Sequence, residues 1–380
     1  MTHTPIDPLT GEPPWFQVGD DYVQLLRDGA EAFPAMLGAI ARAEREVLLE
    51  MYWIGADACG RRFRDALIQQ AKRGVTVRVV YDSLGSLGMT TRWWQPLLDA
   101  GGEVIEYHAL FPLQRLHVDH IDLRDHRKLL VVDGAFGVIG GINIGLQWAP
   151  IEDGGEGWRD DAVAMRGPCA DELRSLFYET WHRMRGATPR DVAPFPRRPA
   201  RPVWVLTNYR RRRRSIRREY IVRIANATRS VDIANPYFVP DSGVRRALFQ
   251  AVELGARARV VVPARGDVPI VQFAVEALFD QLLRHGVEVY ALPPPVLHAK
   301  TAIVDEEFAT IGSYNLDQRS WRKNLEANLA VKDARFARHV RAWFDHDVAR
   351  AVRIDLSSWR RRGAVRRGAE WASFALRRFL

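Results

Sequence analysis

The sequence has few of the residues that build disulfide frameworks, zinc sites or membrane spans. It contains two cysteines, Cys59 and Cys169, and neither belongs to a C-x-x-C pair. A disulfide scaffold and a structural zinc site are therefore not expected, and a reducing compartment is predicted. The chain lacks an apolar run of about 18 residues, and residues 1–15 lack the basic start and apolar stretch of a signal peptide. Any membrane contact is expected to be peripheral.

Acidic residues are also in the minority. The 46 aspartates and glutamates are outnumbered by 55 lysines and arginines, which gives a formal net charge of +9. This excess favours polyanionic partners such as nucleic acid or anionic lipid, although many basic proteins bind neither. At 380 residues the chain is too long for one hydrophobic core, so two domains or two fused repeats are expected.

A short polar pattern occurs twice. Its form is H-x-K, four residues, D, six residues and then G-[GS]-x-N. The first copy consists of His126, Lys128, Asp133 and Asn143, and the second of His298, Lys300, Asp305 and Asn315. One copy arises by chance, whereas two copies inside aligned repeats do not. The pattern therefore predicts one active site built from two related halves.

The repeat extends through the segments that precede each copy. The predicted segments are strands at 47–52, 75–81 and 101–107 with a helix at 62–73 in the first half, and strands at 231–238, 258–263 and 286–290 with a helix at 244–254 in the second. This alternation indicates an α/β fold. We expect two repeats related by pseudo-two-fold symmetry, each a mostly parallel sheet flanked by helices.

Composition divides the chain into five parts. They are an N-terminal extension (1–17), a first repeat (18–186), a proline-rich linker (187–202), a second repeat (203–355) and a basic amphipathic tail (356–380). The first repeat carries an insertion of 11 residues around 109–118, which suits a loop near the site entrance. Five consecutive arginines at 210–214 form either a solvated charged segment or a phosphate-facing patch.

The tail combines arginines with apolar side chains at helical spacing. Val365, Ala369, Ala372, Leu376 and Phe379 fall near one face of a helix. Such a helix can lie in a membrane interface with its arginines on anionic headgroups, and the alternative is a helix packed on the parent domain. The density of arginine favours the membrane interpretation.

The histidines and lysines of the pattern suit phosphoryl chemistry. Alternate residues of a strand point to the same side, so each histidine shares a face with the lysine two positions later. One neutral imidazole can attack phosphorus while the other, protonated, serves the leaving alcohol, and the lysines neutralise the non-bridging oxygens. Each imidazole needs an acceptor for its other nitrogen, and Glu326 and either Asp160 or Asp161 lie at similar distances after the histidines.

This chemistry needs no metal or other cofactor, although a nearby cluster permits a metal site. The cluster consists of His117, Asp119, His120, Asp122 and Asp125. Loops are often rich in such side chains, so we favour an ordinary loop and predict no metal.

Both copies resemble the HKD motifs of the phospholipase D superfamily. Further segments resemble its cardiolipin synthase branch, in the form without N-terminal membrane spans. These segments are YDSLGS at 81–86, WRD at 158–160, NPYFVP at 235–240 and NLDQRS at 315–320. The resemblance covers about residues 18–355, nearly the whole chain.

The resemblance implies a role for each residue of the pattern. His126 would be the nucleophile that forms a covalent phosphohistidine, and His298 would be the general acid and base. The remaining roles are phosphate binding by Lys128, Lys300, Asn143 and Asn315, and orientation of the imidazoles by Asp160 and Glu326. Asp133 and Asp305 count among the catalytic residues of the motif but are expected to be mainly structural. Whether Asp160 or Asp161 faces His126 stays open.

The resemblance also implies a reaction and its location. A phosphatidyl group would move from phosphatidylglycerol to a phospholipid alcohol, giving cardiolipin, at the cytoplasmic side of the bacterial inner membrane. The expected partners are a phosphatidylglycerol-like phospholipid and an anionic membrane surface, without a stable nucleic-acid partner. One alternative is hydrolysis of a phospholipid or nucleic acid by water. The other is a non-catalytic membrane-binding or nucleic-acid-binding protein, which is disfavoured because neither copy has lost a histidine or lysine.

Overall fold

The computed structural model describes residues 13–110, 122–186, 201–209 and 213–377. In the described part of the first half, the strands are β1 Phe16–Val18, β2 Asp21–Arg27, β3 Glu46–Met51, β4 Thr76–Asp82, β5 Glu103–Tyr107, β6 Lys128–Val132, β7 Phe136–Gly140 and β8 Asp161–Arg166. The helices there are α1 Asp28–Ala41, α2 Ala58–Lys72, α3 Thr91–Asp99 and α4 Pro168–Met184. The first sheet thus begins two residues before the predicted start of the repeat.

The described part of the second half repeats this order. Its strands are β9 Val203–Tyr209, β10 Arg213–Arg214, β11 Ser230–Ala234, β12 Arg257–Pro263, β13 Glu288–Leu292, β14 Thr301–Val304, β15 Phe308–Gly312, β16 Glu326–Lys332 and β17 Val352–Arg353. Its helices are α5 Ser215–Ala225, α6 Ser242–Glu253, α7 Pro269–Glu276, α8 Phe279–Arg284, α9 Gln318–Arg322, α10 Ala334–Arg350, α11 Leu356–Arg360 and α12 Ala364–Ala375. Every described helix is too short or too polar to cross a lipid bilayer.

The two sheets share one topology. Their orders are β1-β2-β8-β7-β6-β3-β4-β5 and β10-β9-β16-β15-β14-β11-β12-β13-β17, so a block of seven strands corresponds one to one. The α/β fold with two related halves is confirmed. The expectation of mostly parallel sheets is wrong, because only β3-β4-β5 and β11-β12-β13 are parallel and the other pairs are antiparallel.

The antiparallel part begins with a tight turn after each signature strand. Strand β6 returns directly into β7 through Asp133 and Gly134, which have φ of 55° and 67°. An Asp-Gly pair in this left-handed region is a strong hairpin signal, and it could have predicted the return. Buried strands have the same continuous apolar runs in both orientations, so apolar content alone could not distinguish them.

Three hydrophobic clusters alternate with the two sheets. The outer clusters lie between each sheet and its own helices, α1 to α3 in the first half and α5 to α8 in the second. The central cluster joins both halves, with α4 and α10 packed between side chains of the two sheets. Because this apolar layer is shared, the halves are held in one arrangement and the joint between them can carry a rigid site.

Several predicted segments lie outside the described residues. They are most of the insertion around 109–118, the linker between 187 and 200, and Arg210 to Arg212 of the arginine block. Arg217, which follows the block, forms an ion pair with Asp241 at 2.7 Å and lies over the ring of Trp321. This arginine therefore stabilises the fold of the second half.

Candidate active site

Both signature histidines lie at the joint between the halves, His126 two residues before β6 and His298 three residues before β14. The amide of His126 donates to the carbonyl of Leu325 at 2.9 Å, and the amide of His298 donates to the carbonyl of Arg159 at 2.7 Å. Both histidines are buried. Since each half makes the same contact with the other, the joint is isologous, as in a two-fold dimer. The expected pseudo-two-fold relation is therefore visible at the site itself.

Each imidazole is held by a carboxylate from the opposite half. Nδ1 of His126 lies 3.0 Å from Oε1 of Glu326, and Nδ1 of His298 lies 2.6 Å from Oδ2 of Asp160. Trp148 also donates its indole N–H to the same oxygen of Asp160 at 2.9 Å. The sequence-based expectation that an aspartate faces His126 is wrong, because the two carboxylates cross over between the halves.

Asp161, the other candidate, faces neither histidine. It accepts hydrogen bonds at 2.5 Å from the guanidinium of Arg159 and from the hydroxyl of Thr301. Arg159 is bound in turn by Asp347 at 2.8 Å. Asp161 therefore belongs to a buried charge network behind His298.

The glycine or serine of the G-[GS]-x-N segment lies directly beside a carboxylate. A Cβ atom at Gly141 would come within 2.2 Å of Oδ1 of Asp160, so this carboxylate leaves no room for a side chain. In the second half Ser313 takes the place of this glycine and donates its hydroxyl to Oε2 of Glu326. The carboxylate beside this position thus explains why one half has glycine there and the other has serine.

Both lysines lie beside the histidines, although both histidines and Lys300 precede the strands on which the sequence placed them. Nζ of Lys128 donates to the carbonyl of His126 at 2.7 Å and lies 4.9 Å from the ring centroid of Tyr52. Nζ of Lys300 lies 3.1 Å from Nε2 of His298. Burial lowers the pKa of Lys128 to about 7 and that of Lys300 to about 8. A phosphate anion in the site would favour the charged form of both.

The two histidine–carboxylate pairs differ in their electrostatics. Burial lowers the pKa of His126 well below its usual range, and the lysines lower it further, while burial raises the pKa of its partner Glu326 to about 7. Burial also lowers the pKa of His298, but Asp160 opposes this. The pKa of Asp160 is about 2, because Lys300 and His298 outweigh the effect of its burial. Of the two histidines, His298 is therefore the one whose protonated form is stabilised by its carboxylate partner.

A cavity of about 720 Å³ opens over both histidines. Its lining includes Asn143 and Asn315. The side-chain oxygen of Asn143 accepts a hydrogen bond from the amide of Trp53, so the NH₂ group of Asn143 points away from Trp53. Composition and spacing did not single out the aromatic rings that line it. These rings are Tyr52, Trp53, Trp148, Trp158 and Tyr237.

Asp133 and Asp305 lie at the other end of the signature strands. Asp133 accepts from the amides of Arg45 and Glu46 at 2.7 and 2.9 Å, and Asp305 accepts from the amides of Arg229 and Ser230 at the same distances. Each aspartate follows its histidine by seven positions, which is about 23 Å along an extended chain. Counting them as catalytic is therefore wrong, and they fix the turn that leads into the neighbouring strand.

The candidate metal cluster is only partly described. His117, Asp119 and His120 lie outside the described residues, and Asp122 accepts a hydrogen bond from Lys323 at 2.5 Å. Among the residues that the structure describes, no group of three or more potential ligands could hold a metal ion.

Comparison with known proteins relates more than nine-tenths of the chain to one group. Residues 36–148 and 220–348 match the family described as cardiolipin synthase, PLD-like domain. A probable cardiolipin synthase, YwiE of Bacillus subtilis (strain 168), is 30% identical over 360 residues, which cover 93% of this chain and 71% of the relative. Cardiolipin synthase 2 of Bacillus anthracis is 33% identical over 355 residues, 91% of this chain and 68% of the relative.

The fold also matches a solved structure. The crystal structure of phosphatidylserine synthase from Haemophilus influenzae Rd KW20 superposes with a TM-score of 0.77, at 14% identity and with 97% of both chains covered. At this identity the match concerns the fold, including the arrangement of its two halves.

Proposed function

Because the chain belongs to the cardiolipin synthase, PLD-like domain family, we propose that it transfers a phosphatidyl group from phosphatidylglycerol to a phospholipid hydroxyl and so makes cardiolipin. The observation that supports this is the pair of buried histidines at one cavity, each bound to a carboxylate of the opposite half. The cavity volume lies within the range of small-molecule pockets, about 300–1,000 Å³. A site for a phosphodiester with its headgroup fits these dimensions.

In the first step, neutral His126 attacks phosphorus. Its Nδ1–H donates to Glu326, which leaves the lone pair of Nε2 for the attack. As the N–P bond forms, the P–O bond to glycerol breaks, and His298 donates a proton to the leaving oxygen. Asp160 holds the other nitrogen of His298 and stabilises its positive charge. Glycerol is released, and a phosphatidyl group remains on His126.

In the second step, a lipid hydroxyl attacks the same phosphorus. His298 now accepts the proton of that hydroxyl, and the N–P bond to His126 breaks. Lys128 and Lys300 neutralise the non-bridging oxygens, whose charge grows in the transition state. Asn143 and Asn315 add neutral hydrogen bonds to the same oxygens. The aromatic rings around the cavity limit the access of water, which would otherwise complete the reaction as hydrolysis.

Incubation of the purified protein with phosphatidylglycerol vesicles tests the proposal. Mass spectrometry of the lipids is expected to show cardiolipin, with an equivalent amount of free glycerol in the aqueous phase. Phosphatidic acid in place of cardiolipin would favour the hydrolase alternative. If neither product forms while an active synthase forms cardiolipin under the same conditions, the proposed function is wrong.

We also propose that the tail binds an anionic membrane surface, at the cytoplasmic face of the inner membrane. Helix α12 packs along α7, and its polar residues Glu370 and Ser373 face the protein. Two of its apolar residues point outward, since Val365 is 89% exposed and Trp371 is 74% exposed, while Phe374 packs against the core of the second half. The two alternatives for the tail are therefore compatible, since one face packs on the second half and the other is available to lipid.

The neighbourhood of α12 supports a membrane contact. Arg361 and Arg367 are exposed close to the apolar residues, where they can bind anionic headgroups. Helix α7 contains Val271, which lines the cavity, so α12 lies one helix away from the cavity wall. Contact of this face with a bilayer would bring lipid headgroups close to the histidines.

Replacing Val365 and Trp371 by glutamate is expected to weaken binding to phosphatidylglycerol vesicles at least about tenfold, since each apolar side chain contributes up to a few kcal/mol when buried. Co-sedimentation with vesicles at several lipid concentrations measures this. Leu254→Glu is the matched control, because Leu254 is 68% exposed but precedes the start of β12, at the strand ends that face away from the site. Equal loss of binding in the control would contradict a specific role for α12.

A further inference from the structure

Three carboxylates line the cavity, although the proposed substrate is an anion. They belong to Asp57, Asp267 and Asp317. A free carboxylate repels a phosphate group, so each must either be engaged by the protein or face a part of the substrate that donates hydrogen bonds.

Two of these carboxylates are engaged by the backbone. Asp57 accepts from the amide of Gly60 at 2.9 Å with one oxygen and from the amide of Leu146 at 3.0 Å with the other. Asp317 caps α9 by accepting from the amide of Ser320 at 2.7 Å, and burial raises its pKa to about 7. Both side chains therefore serve the fold.

Asp267 differs from the other two. It is exposed, and its Oδ2 accepts from the hydroxyl of Tyr237 at 2.7 Å, while the described residues provide no hydrogen bond to Oδ1. Burial lowers the pKa of His298 and of Lys300, and Asp267 is among the charges that oppose this. Asp267 and its partner Tyr237 line the same cavity as His298 and come from the same half of the protein, so the carboxylate lies on the His298 side.

The direction of attack determines which part of the substrate lies on the His298 side of the cavity. When His126 attacks phosphorus, the alcohol leaves from the opposite side, and the acceptor alcohol enters there in the second step. That side is the one occupied by His298 and Asp267. A glycerol headgroup carries additional hydroxyl groups, which donate hydrogen bonds that a carboxylate accepts strongly.

We propose that Asp267 and Tyr237 form an alcohol subsite that selects polyol acceptors, with Oδ1 of Asp267 accepting a hydrogen bond from a second hydroxyl of the glycerol unit. This rests on the proposed function. The reacting hydroxyl forms its bond to phosphorus and passes its proton to His298, as in the second step above. The neighbouring hydroxyl stays intact and holds the glycerol unit in place.

Competition between two acceptors tests the subsite. Detergent-dispersed phosphatidylglycerol serves as donor, with equal concentrations of deuterated glycerol and 1-propanol, and mass spectrometry gives the ratio of deuterated phosphatidylglycerol to phosphatidylpropanol. Both products arise from the same phosphatidyl enzyme, so their ratio reports on the acceptor step alone. The unmodified protein is expected to favour glycerol. Asp267→Ala is expected to lower the ratio about 10- to 100-fold, because a hydrogen bond to a charged group is lost.

Three further variants sharpen the test. Asp267→Asn keeps a hydrogen-bond acceptor without the charge and is expected to give an intermediate ratio. Tyr237→Phe keeps the carboxylate and is expected to lower the ratio less than Asp267→Ala does. Asp65→Asn, at an exposed acid on α2, is the control and should leave the ratio unchanged. An unchanged ratio in Asp267→Ala would overturn the subsite, including the case in which both products fall equally. If the unmodified protein forms neither product, the proposed function itself fails.

Discussion

Replacing His126 by asparagine is expected to lower phosphatidyl transfer at least about 10⁴-fold, because no other described side chain replaces the attacking imidazole. His298→Asn should cause a loss of similar size with the natural donor, since glycerol is a poor leaving group without a proton. Transfer from phosphatidylglycerol therefore cannot distinguish the two roles. A donor with a better leaving group can do so.

Phosphatidyl-p-nitrophenol provides this distinction. Its leaving group departs as an anion and does not require the general acid. His298→Asn is then expected to release about one equivalent of p-nitrophenolate per enzyme and to stall as the phosphatidyl enzyme, whereas His126→Asn should release none. Stopped-flow absorbance measures the burst, and intact-protein mass spectrometry detects the adduct. A burst in His126→Asn and none in His298→Asn would reverse the assignment.

Replacing Asp160 by asparagine is expected to lower turnover about 10²- to 10⁴-fold, the scale seen when the carboxylate partner of a catalytic histidine is removed. The structure places Asp160 on His298, 2.6 Å from its Nδ1, although it follows His126 in the sequence. The loss should therefore affect the step that needs His298. With phosphatidyl-p-nitrophenol as donor, the burst in Asp160→Asn should stay close to that of the unmodified protein.

Glu326→Gln is the complementary variant. Glu326 lies 3.0 Å from Nδ1 of His126, so its substitution is expected to slow the burst itself. The crossed arrangement also predicts that Asp160→Asn adds little to the defect of His298→Asn, because both changes act on one imidazole. Pairing within each half predicts the opposite result, a slow burst in Asp160→Asn and a normal burst in Glu326→Gln. Thermal unfolding of each variant controls for loss of the fold.

Local spacing was enough to select the histidines, lysines and asparagines that the fold brings together at one cavity. The H-x-K spacing predicts that each lysine lies beside its histidine, and the apolar run that follows predicts a buried strand. In the structure each lysine contacts its histidine, and the buried strands β6 and β14 begin after the histidines. The two copies also predicted two related halves. These inferences depend on residues a few positions apart, whose geometry the regular backbone fixes.

Apolar periodicity was not enough to predict the orientation of strands β6 to β8 or of the tail helix α12. Apolar periodicity shows which residues share a face but not which neighbour they meet, so a mostly parallel sheet was expected where antiparallel strands β6 to β8 occur. On α12 the structure directs Val365 and Leu376 of the predicted apolar face outward, while Phe379 of that face lies outside the described residues. Glu370 packs inward, where it pairs with Arg362 and Arg366.

By itself, therefore, the sequence determined the family, the α/β halves and the histidines and asparagines that line one cavity. Only the tertiary structure decided which carboxylate serves which histidine, because those pairs join residues 200 and 138 positions apart. It also showed that Asp133 and Asp305 are turn residues and that Asp267 lines the cavity and accepts a hydrogen bond from Tyr237. Hydrogen bonds between distant segments depend on how the halves pack, and the packing of the shared apolar core between the two sheets sets that arrangement.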